Sequence, residues 1–287
     1  MADALPICLL NGALVPANEA RISPFDRGFL FGDGIYEVVP CYGGKPFRLQ
    51  AHLDRMQTGL DAIGIANPYS PARWNELVHE LIAANGAGDL GLYIEITRGP
   101  EQGRDFLPQP GTMPTVFGFC WRLAAVRIEQ LERGVSAATL DDIRWLRCDI
   151  KSVALLGPVM LRMEAKRRGA DEAILIRDDY LAEGSSSAVC IVKDGRVVTP
   201  PPSEKRLPSI TRLVVAEVVA ALGLPLDVRE VHLSELYAAD EIWIASSTRE
   251  AIPVTRIDDR VVGNGKPGAV WRRVFDEFQA FKKREAA

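Results

Sequence analysis

The sequence predicts a mixed α and β protein of two domains, on three observations. The apolar period changes along the chain between two and about 3.6 residues, the marks of strands and helices. The two do not alternate strictly, which sets aside a doubly wound parallel sheet. The run RLAAVRIEQLERG at 122–134 interrupts a strand pattern near the middle of 287 residues, enough chain for two moderate domains. A smaller N-terminal domain is therefore expected over 1–121 and a larger C-terminal one over 135–287, with 122–134 between them.

Taken in order, Ile7–Leu10, Asn11-Gly12 and Leu14-Val15 read as a hairpin. Arg27–Gly34 (RGFLFGDG) reads as a sharply turned loop that enters a strand at Ile35–Val39. Leu49, Leu53, Met56, Leu60 and Ile63 recur every three or four residues and predict a helix over 49–64. A second helix is expected over 71–84, with Pro71 in its first turn and Gly86 beyond its end. Strands at 92–97 and 115–121 enclose a loop rich in Gly, Pro and charge.

In the second half a strand is expected at 136–140 and a helix at 152–168, stopped by Gly169. Strands at 173–176 and 188–192 flank EGSSS, and Lys193-Asp194-Gly195 turns into a strand at Val197-Val198. A proline-rich loop over 200–208 precedes a helix over 211–222. Strands at 226–231 and 241–246 enclose a short helix at 234–238, and a last helix covers 268–282.

Composition narrows the function classes. Lys and Arg number 34 against 38 Asp and Glu, a formal charge of −4 without long runs of one sign, so no general attraction to nucleic acid or to an anionic membrane is expected. No apolar stretch is long enough to span a bilayer, and the first residues lack a secretory pattern, which makes the cytoplasm the expected location. Cys8, Cys41, Cys120, Cys148 and Cys190 are widely spaced in mostly apolar strings and read as reduced core thiols. With His52, His79 and His232 as the three histidines and no close His/Cys pair, no metal site is expected.

Several residues have chemical potential when read singly. Lys151 stands at the mouth of the predicted helix, before the apolar string VALLGPVML; such a lysine suits a Schiff-base nucleophile and general base, and equally a surface lysine at a helix start. Glu183, ahead of Gly184 and three serines, suits a carboxylate that holds a proton on a heteroaromatic nitrogen, or simply a serine-rich turn. Arg55, the helix start at Ile210-Thr211, and Ser246-Ser247-Thr248 are three candidate anion-binding elements. No Walker-type or dinucleotide glycine fingerprint accompanies them.

Taken together, FLFGDGIYEVV, HLDR, DIRWLRCDIKSVALLG, DEAILIRDDYLAEGSSSAV, SITR and IASSTREAIPV resemble the successive motifs of the class IV aminotransferases, most closely the D-amino-acid (D-alanine) branch, over nearly the whole chain. The resemblance implies the two-domain fold type IV, pyridoxal 5′-phosphate as cofactor in the cleft, and a homodimer. It places Lys151 on the lysine that forms the internal aldimine, a Schiff base, and Glu183 on the residue at the pyridine nitrogen. Arg55, Ile210, Thr211 and Ser247 fall on the phosphate cup, and Leu207 on the residue packed against the ring. Reversible ping-pong transfer of an amino group between an amino donor and a 2-oxo acid follows from it.

For the substrate, the resemblance puts Tyr36 and Arg104 at the carboxylate, Arg104 arriving from the neighbouring subunit and displaced by one position. The histidine that usually follows it is absent, and Phe106 occupies that region. A D-amino acid of the D-alanine or D-glutamate type is therefore the expected donor. Branched-chain L-amino acids and (R)-amines are the alternatives, with 4-amino-4-deoxychorismate lyase chemistry further off. Should Arg104 not serve, Arg98, Arg144 and Arg147 are the other arginines to examine.

Overall fold

The computed structural model describes residues 3–86, 88–124 and 128–286. The chain divides into two compact units. One holds the described residues up to Ala124 together with Ile150–Leu155; the other holds the described residues between Ala124 and Ile150 and then Leu156–Glu285. Residues 125–127, inside the expected connecting segment, lie outside the described residues.

In the first unit the elements are β1 (Ala4–Leu10), β2 (Ala13–Pro16), α1 (Arg27–Phe31), β3 (Gly34–Tyr42), β4 (Lys45–Pro46), α2 (Leu49–Ile63), α3 (Pro71–Ala84), β5 (Leu90–Thr97) and β6 (Thr115–Arg122). The strands form one antiparallel sheet in the order β2-β1-β6-β5-β3-β4. Asn11 and Gly12 both take positive φ, as a two-residue primed turn requires, and so give the expected first hairpin. Leu53, Met56 and Leu60 of α2 and Trp74, Leu77 and Leu81 of α3 pack with Val39, Leu92, Ile94 and Ile96 in one buried cluster. The Ser70 side chain caps α3 by accepting from Arg73 N–H, and Pro71 takes the first helical position.

Around Arg27–Gly34 the structure corrects the expectation of a loop: residues 27–31 form a short helix, started by Asp26 accepting from Gly28 N–H and stopped by Gly32 at φ 66°. A second correction concerns the expected helix over 152–168, which begins only at Leu156. Residues before it are drawn off by β3. Tyr36 N–H donates to the Lys151 carbonyl at 2.9 Å and Val153 N–H to the Gly34 carbonyl at 3.1 Å, with Ile35 and Ser152 bridged between them. Lys151 therefore lies on an extended strip along β3 and not at a helix mouth.

The second unit contains α4 (Ile128–Arg133), β7 (Val135–Asp141), α5 (Leu156–Arg167), β8 (Glu172–Arg177), β9 (Tyr180–Gly184), β10 (Ala188–Lys193), β11 (Arg196–Thr199), α6 (Ile210–Ala221), β12 (Leu226–Val228), α7 (Leu233–Tyr237), β13 (Glu241–Ser246), β14 (Glu250–Ile257), β15 (Arg260–Val261) and α8 (Ala269–Ala286). Its mixed sheet runs β12-β11-β10-β13-β14-β7-β8-β9, with β15 paired to β14. β7 is parallel to both neighbours, whereas β13 is antiparallel to both of its own. Glu183, expected in a loop, stands near the end of β9. Asp178 and Asp179, both at positive φ, turn the chain from β8 into β9 without a glycine.

Gly99 follows β5 at the start of the loop that carries Arg104. Its φ is +101°, and a Cβ there would collide with the Met113 carbonyl oxygen. Gly99→Ala is expected to cost about 2 kcal/mol or more and to lower Tm by about 4 °C or more; an unchanged melting curve would contradict this account.

Candidate active site

In the first unit the candidate residues gather on β3, α2 and the strip at Lys151. Side chains alternate along β3, so Ile35, Glu37 and Val39 face the core while Tyr36 and Val38 face the other way. Lys151 Nζ lies 4.2 Å from the centroid of the Tyr36 ring, and no carboxylate pairs with it among the described residues. Tyr36 stacks on Tyr93 at 5.5 Å, and the Tyr93 hydroxyl donates to Glu95 at 2.6 Å. Burial pushes the Glu95 carboxyl above its ordinary range, and the Tyr93 hydrogen bond offsets only part of that.

Behind Tyr36, Glu37 is almost wholly buried and receives two side chains of α2. Arg55 binds it in bidentate fashion, Nε to Oε1 and Nη2 to Oε2, both at 2.7 Å; His52 Nδ1 lies 2.7 Å from Oε2. Burial would raise the Glu37 carboxyl, but the charge and hydrogen bonds of Arg55, together with His52, outweigh it and hold it at about 2. Burial pushes His52 downward, helped by the charges of Arg55 and Lys151 and opposed by Glu37. A neutral His52 thus donates its Nδ1–H to a Glu37 anion, and the carboxylate fixes the guanidinium that the sequence marks as a phosphate ligand.

The loop with Arg104 is built on a different arginine. Arg27, buried in α1, donates to Asp33 at 2.8 Å, to Glu101 at 3.0 Å, and to the Asp105 and Phe106 carbonyls at 2.7 and 2.9 Å. Arg98 binds both Asp33 oxygens and the carbonyls of Ile63 and Gly64. Arg104 itself is exposed. Its guanidinium lies 5.2 Å from the Phe31 ring and 5.3 Å from the Phe106 ring, with no carboxylate partner among the described residues.

In the second unit Glu183 ends a chain of alternating charges. Arg144 donates to Glu183 at 2.5 Å and grips Asp142 through Nε and Nη2 at 2.8 and 2.9 Å; Arg177 binds the same Asp142 at 2.7 Å. Leu207 N–H also reaches the Glu183 carboxylate, at 3.2 and 3.3 Å. Burial opposes the charge of Arg144, but its two carboxylates raise it well above the ordinary arginine range. Ser185 and Ser187 carry buried hydroxyl oxygens that have no hydrogen-bond partner among the described residues. Ile210 and Thr211 are buried as the first two residues of α6, where backbone N–H groups have no acceptor inside the helix. Ser247 follows the end of β13, half-buried.

Among the alternative arginines, Arg144 is engaged with Asp142 and Glu183, Arg98 with Asp33, and Arg147 with Asp149. That leaves Arg104 as the one of the four without a carboxylate among the described residues. Sequence reasoning does not single out Glu37, Glu95, Arg27 or Asp142. For Glu37 the signal is present: period two along GIYEVV puts it on the same face as Ile35 and Val39, a charge in an apolar row.

The model of the family described as amino-transferase class IV matches residues 34–257. The chain is 40% identical over 266 residues to a D-alanine aminotransferase of Bacillus licheniformis, covering 93% of each, and 37% identical to one of Listeria innocua, covering 94% of each. Among solved structures it resembles the branched-chain amino acid aminotransferase of the archaeon Thermoproteus uzoniensis with norvaline, at TM-score 0.88 and 26% identity, covering 99% of this chain and 96% of that one. An Escherichia coli branched-chain amino acid aminotransferase shares the fold, with TM-score 0.92 and 24% identity over 99% of this chain and 96% of that one.

Glu37→Gln should destabilise the protein at neutral pH by leaving Arg55 without its anion. Because the Glu37 carboxyl lies below its ordinary value in the folded state, its contribution is full above about pH 4.5 and is lost as pH falls toward about 2. Denaturant titrations of both proteins should show a constant gap from about pH 6 to 8 that narrows in acid; a gap that widens in acid would refute the pairing.

Proposed function

The chain belongs to the class IV aminotransferases, and from that membership we propose that it moves the amino group of a D-amino acid, of the D-alanine or D-glutamate type, reversibly to a 2-oxo acid. The observation that supports the D-amino donor most directly is the 40% identity to a D-alanine aminotransferase over 93% of both chains. The cofactor is pyridoxal 5′-phosphate. When bound, it supplies an electron sink for the charge released at the substrate Cα.

The residues fit such a group by their own chemistry. Lys151 would hold its aldehyde through Nζ, and the absence of a carboxylate partner among the described residues leaves that amine available. The same amine, once freed, can take a proton from substrate Cα and return it. Glu183 is held by Arg144 and by Leu207 N–H; its carboxylate would hold the proton of the ring nitrogen, and Leu207 would pack against the ring. Arg55 and the N-terminal amides of α6 at Ile210 and Thr211, with Ser247, would anchor the phosphate. The unpartnered hydroxyls of Ser185 and Ser187 mark a polar surface that a bound group can satisfy.

For the substrate carboxylate we assign Tyr36 and Arg104, in a homodimer that lends Arg104 to its partner. Arg104 supports this by having a guanidinium that no carboxylate among the described residues engages. The five free, buried cysteines favour a reducing compartment, and we place the enzyme in the cytoplasm. No helix among the described residues is long and apolar enough to cross a membrane. The exposed Phe106 favours a second reading, an amine donor without a carboxylate.

The deciding experiment is a set of single half-reactions with D-alanine, D-glutamate, L-leucine and (R)-1-phenylethylamine, following conversion of the cofactor from its aldehyde to its amine form. Fastest conversion by a D-amino acid is expected; fastest conversion by L-leucine would replace the D-amino donor with a branched-chain one. Lys151→Ala should abolish conversion by every donor, and turnover near wild type would remove Lys151 from its role. In sedimenting dimers, Arg104→Ala should raise KM for D-alanine about 10-fold or more, the worth of one charge-assisted hydrogen bond, and leave the phenylethylamine reaction unchanged. Unchanged KM for D-alanine would reject Arg104 as the carboxylate receptor.

A further inference from the structure

Among the described residues three arginines are buried to more than nine-tenths, and two of them have carboxylates: Arg27 has Asp33 and Glu101, and Arg206 has Glu230. Arg212, the third residue of α6 and 9% exposed, has none. Its backbone N–H is capped by Ser209 Oγ at 3.2 Å, but its guanidinium makes no ion pair or hydrogen bond among the described residues. An arginine stays protonated even when burial presses its affinity for the proton downward, so a full positive charge is left without a protein counter-charge among the described residues.

Arg212 lines a small cavity together with Glu183, Ala188, Thr199 and Arg206, with room for about one water-sized body. The charges in that wall can be matched in pairs. Arg206 is answered by Glu230 and Glu183 by Arg144, which leaves the charge of Arg212 over. The N-terminal end of α6 adds partial charge of the same sign. Thr199 offers little help, since its hydroxyl donates to the Val189 carbonyl at 3.1 Å. Ala188, on the same wall, brings only a methyl group, which cannot accept from the guanidinium.

We infer that the cavity beside Arg212 is a binding site for one small monovalent anion of the halide class, which supplies the counter-charge that the chain does not. A single-atom anion suits the size of the cavity, and the guanidinium that lines it makes no hydrogen bond among the described residues. The cavity shares Glu183 and Leu207 with the residues assigned to the cofactor ring but does not include Ile210 or Thr211, whose amides are assigned to its phosphate, and the inference does not depend on the identity of the amino donor.

Holoenzyme crystals grown in sodium bromide test it by anomalous scattering, and melting curves in sodium bromide and sodium gluconate at equal ionic strength test it in solution. A bromide peak against the Arg212 guanidinium is expected, with Tm about 2–4 °C higher in bromide. Arg212→Met should lose the increment. Should that variant not fold, Ala188→Asn keeps Arg212, fills the cavity and offers an amide oxygen in place of the ion; it too should lose the increment and show no bromide peak. A cavity that holds water without bromide, equal Tm in both salts, or an increment that survives Ala188→Asn would overturn the inference.

Discussion

A carboxylate taken out of water stays ionised only where cations and N–H groups come to it, and leaving it alone costs several kcal/mol. Glu37 and Glu183 are both in that position, and much of the surrounding architecture answers to them. Glu37 needs His52 and Arg55, three residues apart on the buried side of α2, which fixes how that helix lies on β3. Glu183 needs Arg144, which in turn needs Asp142, whose second partner is Arg177 at the end of β8. Apolar residues of similar size would pack as stably in such places. What the ionic version contributes is position: each guanidinium has a single orientation, set by two oxygens at once.

The same economy of charge shapes the loop after β5. A loop of polar residues has no apolar core to define it, and Phe106, Leu107 and Met113 remain exposed. Arg27 compensates by reaching from α1 to a carboxylate at one end of the loop and two carbonyls near its middle. The guanidinium thus acts as an internal post around which the chain is wound, and it leaves Arg104, on the outside of the turn, free of local carboxylate partners among the described residues.

Much of this is legible in the sequence, and the remainder is hidden for identifiable reasons. Helices α2 and α3 carry their period and their punctuation, and their bounds agree with the sequence expectation to within a residue or two. β9 is hidden because its turn uses Asp178 and Asp179 in place of a glycine, and β14 because Pro253 stands inside it. α1 is hidden by two glycines that read as loop, one of which is its stop signal. Among the candidate site residues, Lys151 and Glu183 are legible as members of a motif. Their surroundings are not, since the strip at Lys151 is extended by long-range pairing with β3 and nothing local in SVALL records that partner. Glu37 and Arg27 could be found by asking why a charge sits in an apolar row or beside a glycine-rich turn.

The strip that carries Lys151 has another consequence, for how the chain is made. Beyond the two residues of β4, which pair only with Cys41 and Tyr42, the outer edge of β3 at Gly34–Tyr36 is closed by residues 151–153 alone among the described residues. During synthesis the strands of the first sheet leave the ribosome well before that strip does. A nascent chain that has reached only Ala124 therefore carries an open, apolar strand edge of the kind that recruits other chains. The segment that bears the lysine is thus also part of the seal on the sheet, and a truncated product lacking it would be prone to associate.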